Sequence, residues 1–262
     1  MDADALRRHA KKTGFDVATL EKDYALTWLL NGIYSDNSKL RETLILKGGT
    51  AIRKVYFPEW RLSEDLDFTI VQKTAPQRIK QNFERTFQLL SEKSSIDYSF
   101  SAFTASTHAI LADVQFLGPL GFKNKIAHDL SLKEKLIEEP ERRNVKPEYD
   151  DIPEFKALVY SLNEILVEKI RSILQRGKAR DYYDVWRLVR ESSFDQKRIR
   201  ELLVQKCDTT GVEFKPDLIF EENRLIEARK FWNIALARLT KSLPDFDVVI
   251  RDLTQLDSLQ DH

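Results

Sequence analysis

Cysteine is almost missing from this chain. Its 262 residues include a single cysteine, Cys207. One cysteine can form neither an internal disulfide nor a cysteine-based metal site, which excludes the class of small secreted proteins held together by disulfides. The first residues also lack the apolar stretch of a signal peptide. We therefore expect a cytoplasmic protein.

The chain also lacks a net charge and a long apolar run. Lys and Arg together number 42, as do Asp and Glu, so the formal charge is zero. A nucleic-acid footprint must therefore be a local patch. The longest apolar run is far shorter than the roughly 20 residues that span a bilayer, so we expect no membrane partner. The length is sufficient for a full hydrophobic core.

The order of the sequence patterns predicts an α+β protein with two lobes. Residues 1–160 mix helical and strand patterns, whereas residues 161–262 are almost wholly helical. We therefore predict an α/β lobe over residues 1–160 and a helical bundle over residues 161–262. Residues 131–153 are rich in charge and proline, and they predict a loop with short extended pieces. The predicted helices of the first lobe cover Thr19–Tyr34 and a segment that begins at Pro76, and its predicted strands cover Thr43–Lys47, a segment from Asp65, Ile96–Ser101, Thr107–Phe116 and Phe155–Tyr160.

The segment LILKGGTAIRKVYFPEWRLSEDLDFTI, residues 44–70, carries the strongest chemical signal. In it Gly48, Gly49 and Thr50 join a strand to a short helix, and Asp65 and Asp67 open the next strand. Glycine lets the backbone approach a phosphate closely, and a helix start offers N–H groups to an anion. Acids at positions i and i+2 of a strand point to the same face, which suits Mg²⁺ or Mn²⁺ held against a triphosphate. The pattern predicts metal-dependent nucleotidyl transfer.

Each part of this motif also has a plain structural interpretation. A Gly-Gly turn can merely connect two elements, and acids are common at exposed strand starts. Arg61 and Ser63 could contact phosphate or order the turn, and Lys47 could do the same or be solvated. Phosphorylation of Ser63 would add negative charge next to Asp65, and we expect it to inhibit the site. The complete order of the motif is more specific than any of its parts.

A third carboxylate would help to bind metal, and Asp113 is the candidate. It is a lone acid within the apolar strand HAILADVQFL. Burial of an unpaired carboxylate is costly, and a metal ion is a suitable partner. A structural role for Asp113 is an equal alternative.

The segment SLNEILVEKIRSILQRGKARDYYDVWRL, residues 161–188, carries the second signal. Ser161 and Glu164 fit a capping box at the start of a helix, and Gly177 ends that helix. At 100° per residue, Lys169 falls in the middle of the apolar stripe of the helix. A lysine in that position should snorkel, form an ion pair or line a cleft.

A second helix begins near Ala179, and it places Asp181 and Asp184 on one face. In the functional interpretation Lys169 binds the triphosphate, Asp184 or Asp181 orients it, and Arg176 and Arg180 bind phosphates or an RNA backbone. In the alternative interpretation these residues form an ion-pair network that ties two helices together. Residues 169–190 contain seven Lys or Arg and two acids, a local excess of five positive charges that favours an anionic substrate.

With both segments considered, the chain resembles the AbiEii/AbiGii abortive-infection toxin family, which includes the MenT-type toxins of the nucleotidyltransferase superfamily. The resemblance depends on EKDYALTWLL, LILKGGTAIRKVYF, RLSEDLDF and the helical segment quoted above, in this order. It implies a nucleotidyltransferase-fold lobe followed by a helical lobe. It also implies nucleotide binding by Gly48–Thr50, Mg²⁺ binding by Asp65 and Asp67, and roles for Lys169 and Asp184 with Arg176, Arg180 and Asp181 beside them.

Some relatives in this family transfer nucleotides from NTPs to the acceptor ends of tRNA, and they belong to toxin–antitoxin pairs. The resemblance therefore implies an NTP substrate, an RNA or tRNA acceptor and an antitoxin protein. A protein hydroxyl or a small molecule such as an aminoglycoside is an alternative acceptor. A catalytically inactive nucleotidyltransferase-fold binding protein is the competing hypothesis, but the intact acid pair together with Lys169 and Asp184 argues against it.

Overall fold

The computed structural model describes residues 1–254 and has the predicted α+β fold class, with a seven-stranded mixed sheet and helices. The chain forms two compact units. The first combines Met1–Lys133 with Pro140–Tyr160, and the second combines Glu134–Glu139 with the residues from Ser161 onward. Within the described range, no helix is both long and apolar enough to cross a lipid bilayer.

The sheet of the first unit has the strand order β3-β4-β5-β2-β1-β7-β6. Strands β2 and β5 are parallel, as are β1 and β7, and the other neighbouring pairs are antiparallel. The strands are β1 (Leu44–Lys47), β2 (Asp65–Ile70), β3 (Asp97–Ala105), β4 (Ala109–Leu117), β5 (Lys123–Ser131), β6 (Glu141–Val145) and β7 (Phe155–Val159).

The helices of the first unit are α1 (Ala3–Thr13), α2 (Val17–Ile33), the short α3 (Gly48–Ala51) and α4 (Pro76–Lys93). Helix α2 begins where the Asp16 side chain accepts hydrogen bonds from the N–H groups of Ala18 and Thr19. Helix α4 begins at Pro76, whose fixed φ suits the first helical position. Both helices confirm the predictions for this lobe.

One face of the sheet is buried, and the other face carries the predicted acids. Leu66 and Phe68 of β2 are fully buried. On the same face His128 of β5 pairs in register with Leu66, and its ring meets Phe83 of α4 at 5.8 Å between centroids. Because successive side chains of a strand point to opposite faces, Asp65 and Asp67 lie on the other face. Helix α4 therefore does not cover the acids, which are both half-buried.

The structure has one strand, β5, where the sequence analysis predicts none, and another, β6, where it predicts only short extended pieces within a loop. Strand β5 is a direct neighbour of β2, and β6 falls in the segment predicted as a loop. In β5 the side chains of Ile126, His128 and Leu130 are buried and alternate with more exposed residues. This period-2 pattern was a usable signal, but the polar His128 at a buried position and the apolar Ala127 at a less buried one obscure it.

The second unit is helical. Its elements are α5 (Leu162–Arg176), α6 (Ala179–Glu191), α7 (Gln196–Thr210), a 3₁₀ turn (Pro216–Phe220), α8 (Glu222–Leu236) and α9 (Phe246–Thr254). Gly177 ends α5 at φ +55°, as predicted, and its N–H donates to the carbonyl of Ile173. Trp232 packs in the core against Phe246, at 5.1 Å between ring centroids.

The predicted capping box at the start of α5 is half right. The Ser161 hydroxyl accepts a hydrogen bond from the Glu164 N–H at 3.0 Å. The Glu164 carboxylate instead accepts hydrogen bonds from the N–H groups of Ile137 and Glu138, and it pairs with the buried Lys206 at 2.7 Å. Glu164 therefore fastens residues 134–139 to the helical unit, because a buried lysine and two backbone donors compete successfully for its oxygens.

Candidate active site

Two partly exposed carboxylates stand side by side on β2. Asp65 and Asp67 are both half-buried, and the residues between and after them, Leu66 and Phe68, are fully buried. The alternation of acid and apolar residue holds the strand in register, since a shift by one position would bury both acids. The pair therefore forms a stable anionic edge on the accessible face.

Gly48 lies against Asp67. Its φ is +70°, in the left-handed region that glycine tolerates best. A Cβ atom added at this position would lie 2.3 Å from Oδ2 of Asp67, far inside van der Waals contact. Both the backbone conformation and the neighbouring carboxylate therefore require glycine here. The first glycine of the segment therefore lies beside one of the two predicted acids.

The rest of the predicted phosphate loop packs against the turn before β2. A Cβ at Gly49 would lie 2.8 Å from a guanidinium nitrogen of Arg61 and 3.2 Å from the Ser63 hydroxyl. The Thr50 hydroxyl donates to the backbone carbonyl of Asp65 at 2.6 Å. Arg61 also donates to the carbonyl of Leu62. The structure thus brings the five residues Gly48, Gly49, Thr50, Arg61 and Ser63 together beside the two acids.

These loop residues are buried, and the loop is shorter than predicted. Thr50 and Arg61 are 1% and 3% exposed. Helix α3 begins at Gly48 rather than Ala51, and residues 52–56 form a π-helical turn. The contacts in the structure give the loop a structural role, in which it positions β2. Nucleotide binding by Gly48–Thr50 stays a prediction.

Helix α2 contacts the segment between α3 and β2 at two points through the EKDY motif, residues 21–24. Lys22 forms an ion pair at 4.0 Å with Glu64, the residue directly before Asp65. Asp23 is almost fully buried and pairs with Lys54 of the π-helical turn at 2.7 Å. It also accepts a hydrogen bond from the Tyr149 hydroxyl. The sequence analysis used this motif only for the resemblance and missed these contacts.

Burial and the nearby Asp23 carboxylate hold the pKa of Tyr149 well above its usual value. The phenol therefore keeps its proton and donates a hydrogen bond to the Asp23 carboxylate. The result is a buried, charge-assisted anchor for the π-helical turn, in which each charge has a partner.

The acid pair fits a metal that arrives with its substrate. Among the described residues, no three His, Cys, Asp or Glu side chains gather closely enough to hold a metal ion. Mg²⁺ is commonly bound by one or two carboxylates, with waters and substrate phosphates as its other ligands. Two carboxylates on one accessible face meet this requirement.

The premise for Asp113 is wrong. Its side chain is 31% exposed and forms an ion pair with Lys125 at 2.7 Å, so it is not a buried, unpaired acid. In the sheet Asp113 pairs with Ala127, which in turn pairs with Asp65, so a whole strand separates the two acids. A metal-binding role for Asp113 stays a prediction.

Asp129 is the carboxylate that the sequence analysis missed. It lies on β5 in direct register with Asp67, and paired positions point to the same face. Its side chain is exposed. The strand pattern of β5 would have placed Asp129 on the face of the sheet that the buried His128 does not occupy. Only the pairing of β5 with β2 places it beside Asp67.

In the second unit, Lys169 forms a compact ionic cluster. Its ammonium contacts Asp184 at 2.8 Å and Asp181 at 3.4 Å, and Arg176 contacts Asp181 at 3.1 Å. The Asp184 side chain is completely buried, whereas that of Lys169 is 13% exposed. The structure therefore confirms the ion pairs between α5 and α6. The pairs are compatible with both interpretations of Lys169, because an ion pair can also hold an ammonium ready for a ligand.

The predicted basic stretch is largely neutralised by acids from other parts of the sequence. Arg180 donates to the carbonyl of Ala235 at 3.3 Å. Three other arginines have acidic partners: Arg171 with Glu134 and Glu168, Arg187 with Glu191, and Arg190 with Asp252. The excess of positive charge along the sequence therefore does not become an equal excess on the folded surface.

The chain is similar to known nucleotidyltransferase toxins. The family described as "Nucleotidyl transferase AbiEii toxin, Type IV TA system" matches residues 29–252. Among solved structures, MenT4, a nucleotidyltransferase toxin from Mycobacterium tuberculosis H37Rv, is similar with a TM-score of 0.74 and 17% identity over 100% of this chain and 90% of that one. None of the curated proteins compared with the chain matches it. Because the family match spans most of its length, the chain belongs to the AbiEii nucleotidyltransferase toxin family of type IV toxin–antitoxin systems.

Proposed function

We propose that this protein transfers a nucleoside monophosphate from an NTP to the 3′ end of an RNA, with tRNA as the preferred acceptor. The observation that carries the proposal is the cluster of the half-buried Asp65 and Asp67 with the buried Gly48–Thr50 loop. The family adds the transferase class and the toxin role. An RNA acceptor would place the protein in the cytoplasm.

In this proposal Asp65 and Asp67 hold Mg²⁺ or Mn²⁺ through their carboxylate oxygens. When bound, the ion supplies charge neutralisation on the triphosphate. The protein's own residues hold the two carboxylates in position. Gly48 leaves space for the Asp67 carboxylate, and Thr50 fixes the backbone at Asp65. Asp129, in register with Asp67, and Asp113 are alternative candidates for a third ligand, although among the described residues no three such side chains already lie close enough together to hold an ion.

Cationic residues and one hydroxyl are proposed to bind the nucleotide's phosphates. Arg61 and Ser63, held beside Gly49, are candidates in the first unit. In the second unit Lys169 is proposed to bind the triphosphate, with Asp184 holding its ammonium in place. Arg176 and Arg180 are proposed to bind phosphate or the RNA backbone.

A transfer assay tests the proposal. The protein is incubated with each labelled NTP, Mg²⁺ and purified tRNA, next to Asp65→Asn and Asp67→Asn. Asp97→Asn is the matched control, since Asp97 is an exposed acid at the start of β3. We expect labelled tRNA with the wild type and the control, and loss of label with both site variants.

Other outcomes separate the alternatives. Label on protein or on a small molecule, but not on RNA, would replace the proposed acceptor. Nucleotide binding with no transfer to any acceptor would favour the inactive binding protein. A cognate antitoxin is expected to relieve growth arrest that depends on Asp65, and arrest that persists in Asp65→Asn would contradict the toxin mechanism.

A further inference from the structure

Lys47 lies directly opposite one of the two site acids. It is the last residue of β1, and its register partner on the antiparallel β2 is Asp67. Partners in this position point to the same face, with Cβ atoms about 4.5–5.5 Å apart. The solvated alternative for Lys47 is wrong, because the residue is only 9% exposed. A positive charge is therefore built into the acid-bearing face.

Tyr160 holds this lysine in place. The Lys47 ammonium lies 5.9 Å from the centre of the Tyr160 ring, within the range of a cation–π contact. The Tyr160 hydroxyl shares a 2.5 Å hydrogen bond with Thr69, which follows Asp67 by two residues on the same face of β2. The backbone of Tyr160 is also fixed, because its N–H donates to Leu46 and its carbonyl accepts from Tyr56.

This ring is consequently a rigid platform. The hydroxyl, the N–H and the carbonyl of Tyr160 all have partners within the first unit. Through them the residue joins β1, β2 and the end of β7. A lysine on an exposed surface can move its ammonium far from a neighbouring acid at little cost. Lys47 is buried against a fixed ring, so its charge stays near the acid pair.

A fixed cation changes what the acid pair can bind. Two carboxylates alone attract a divalent ion, and a neighbouring ammonium opposes that ion by direct repulsion. A triphosphate reverses the balance, since its negative charge attracts both the ammonium and the metal. The same lysine therefore disfavours metal alone and favours metal together with nucleotide.

We propose that Lys47 is a resident counter-ion that makes metal binding at Asp65 and Asp67 depend on the nucleotide. In the free protein it balances the charge of Asp67 and lowers the affinity for a bare divalent ion. When an NTP binds, the ammonium interacts with phosphate, and the acids become available to the metal. Lys47 is thus a binding residue for the nucleotide, and Tyr160 is a positioning residue that acts through it. This inference depends on the proposed function, because it assumes that the two acids bind metal.

The test measures Mn²⁺ binding to the whole protein by electron paramagnetic resonance, without nucleotide and without turnover. Lys47→Met removes the charge and keeps the apolar stem, and Lys47→Gln is a second neutral variant should the first fail to fold. Lys47→Arg keeps the charge. We expect both neutral variants to bind Mn²⁺ about tenfold more tightly than the wild type, and Lys47→Arg to bind like the wild type.

A nonhydrolysable NTP analogue provides the second half of the test. We expect it to raise Mn²⁺ affinity strongly in the wild type and much less in Lys47→Met. Tyr160→Leu, which removes the platform, should shift nucleotide-free affinity in the same direction as Lys47→Met. Equal nucleotide-free affinity in the wild type and both neutral variants would overturn the role of Lys47 and leave the proposed function intact. Mn²⁺ binding that is unaffected by Asp65→Asn and Asp67→Asn, with or without the analogue, would instead overturn both.

Discussion

Replacement of Gly48 by alanine tests the central contact of the site. Two penalties are expected, because alanine strains at a φ of +70° and its Cβ would lie 2.3 Å from the Asp67 carboxylate. The first penalty is roughly 1–2 kcal/mol for a non-glycine residue in the left-handed region. The second is about 0.5–1.5 kcal/mol, since the short Asp67 side chain must leave its preferred rotamer. The sum is about 1.5–3.5 kcal/mol of unfolding free energy.

Gly14→Ala is a matched control within the same unit. Gly14 has a φ of +79°, but a Cβ there would meet no atom within 4 Å. It therefore carries the backbone penalty without the clash. The difference between the two variants isolates the contact with Asp67, and it should be about 1 kcal/mol, or roughly 2–4 °C in Tm. Gly49→Ala should fall nearer to the control, because the nearest atoms belong to the flexible end of Arg61.

The assay combines thermal unfolding with Mn²⁺ binding in the presence of the NTP analogue. Gly48→Ala should lose both stability and metal affinity, whereas Gly14→Ala should lose stability alone. Equal losses of stability in the two variants, with unchanged Mn²⁺ affinity in Gly48→Ala, would refute the reasoning that Gly48 exists to accommodate Asp67.

Three further predictions follow from the first unit. Lys54→Met leaves the buried Asp23 without its cationic partner and should lower the free energy of unfolding in urea by about 3–5 kcal/mol. Lys54→Met combined with Asp23→Asn should lower it clearly less. A double variant as unstable as the single one would contradict a buried pair. Burial lowers the pKa of His128 to about 4, so the unfolded state binds more protons than the folded state between the unfolded pKa of about 6.5 and pH 4, and stability falls as the pH falls through that window. Between pH 7 and pH 5 this contribution is about 2 kcal/mol, and the pH dependence of unfolding should be smaller by that amount in His128→Asn. Asp129→Asn should weaken Mn²⁺ binding in the presence of the NTP analogue more than Asp113→Asn does, and the reverse order would make Asp113 the third ligand.

Much of the candidate site could be predicted because its residues are local in sequence. Asp65 and Asp67 alternate with apolar residues, and a strand must place such a pair on one face whatever surrounds it. The Gly-Gly sequence indicates a backbone conformation that other residues tolerate poorly, and Gly48 has a positive φ in the structure. Helical periodicity placed Lys169 between α5 and α6, where it meets Asp184.

The errors concern contacts between residues far apart in sequence. Asp113 looked unpaired because its partner, Lys125, lies in a strand that was not predicted. The basic stretch looked free because its acidic partners, among them Glu134 and Asp252, lie outside it. Charge counted along a segment cannot include ion pairs that folding creates.

By itself the sequence determined the fold class, the acid pair, the glycine loop and the two ionic helices, since each depends on periodicity or backbone preference within a few residues. Only the tertiary structure decided which strands flank β2, and therefore that Lys47 and Asp129 are the neighbours of Asp67. It also decided that Tyr160 lies under Lys47. The physical reason is that strand pairing joins segments many residues apart, and their order in the sheet depends on the burial of the whole core rather than on any one segment.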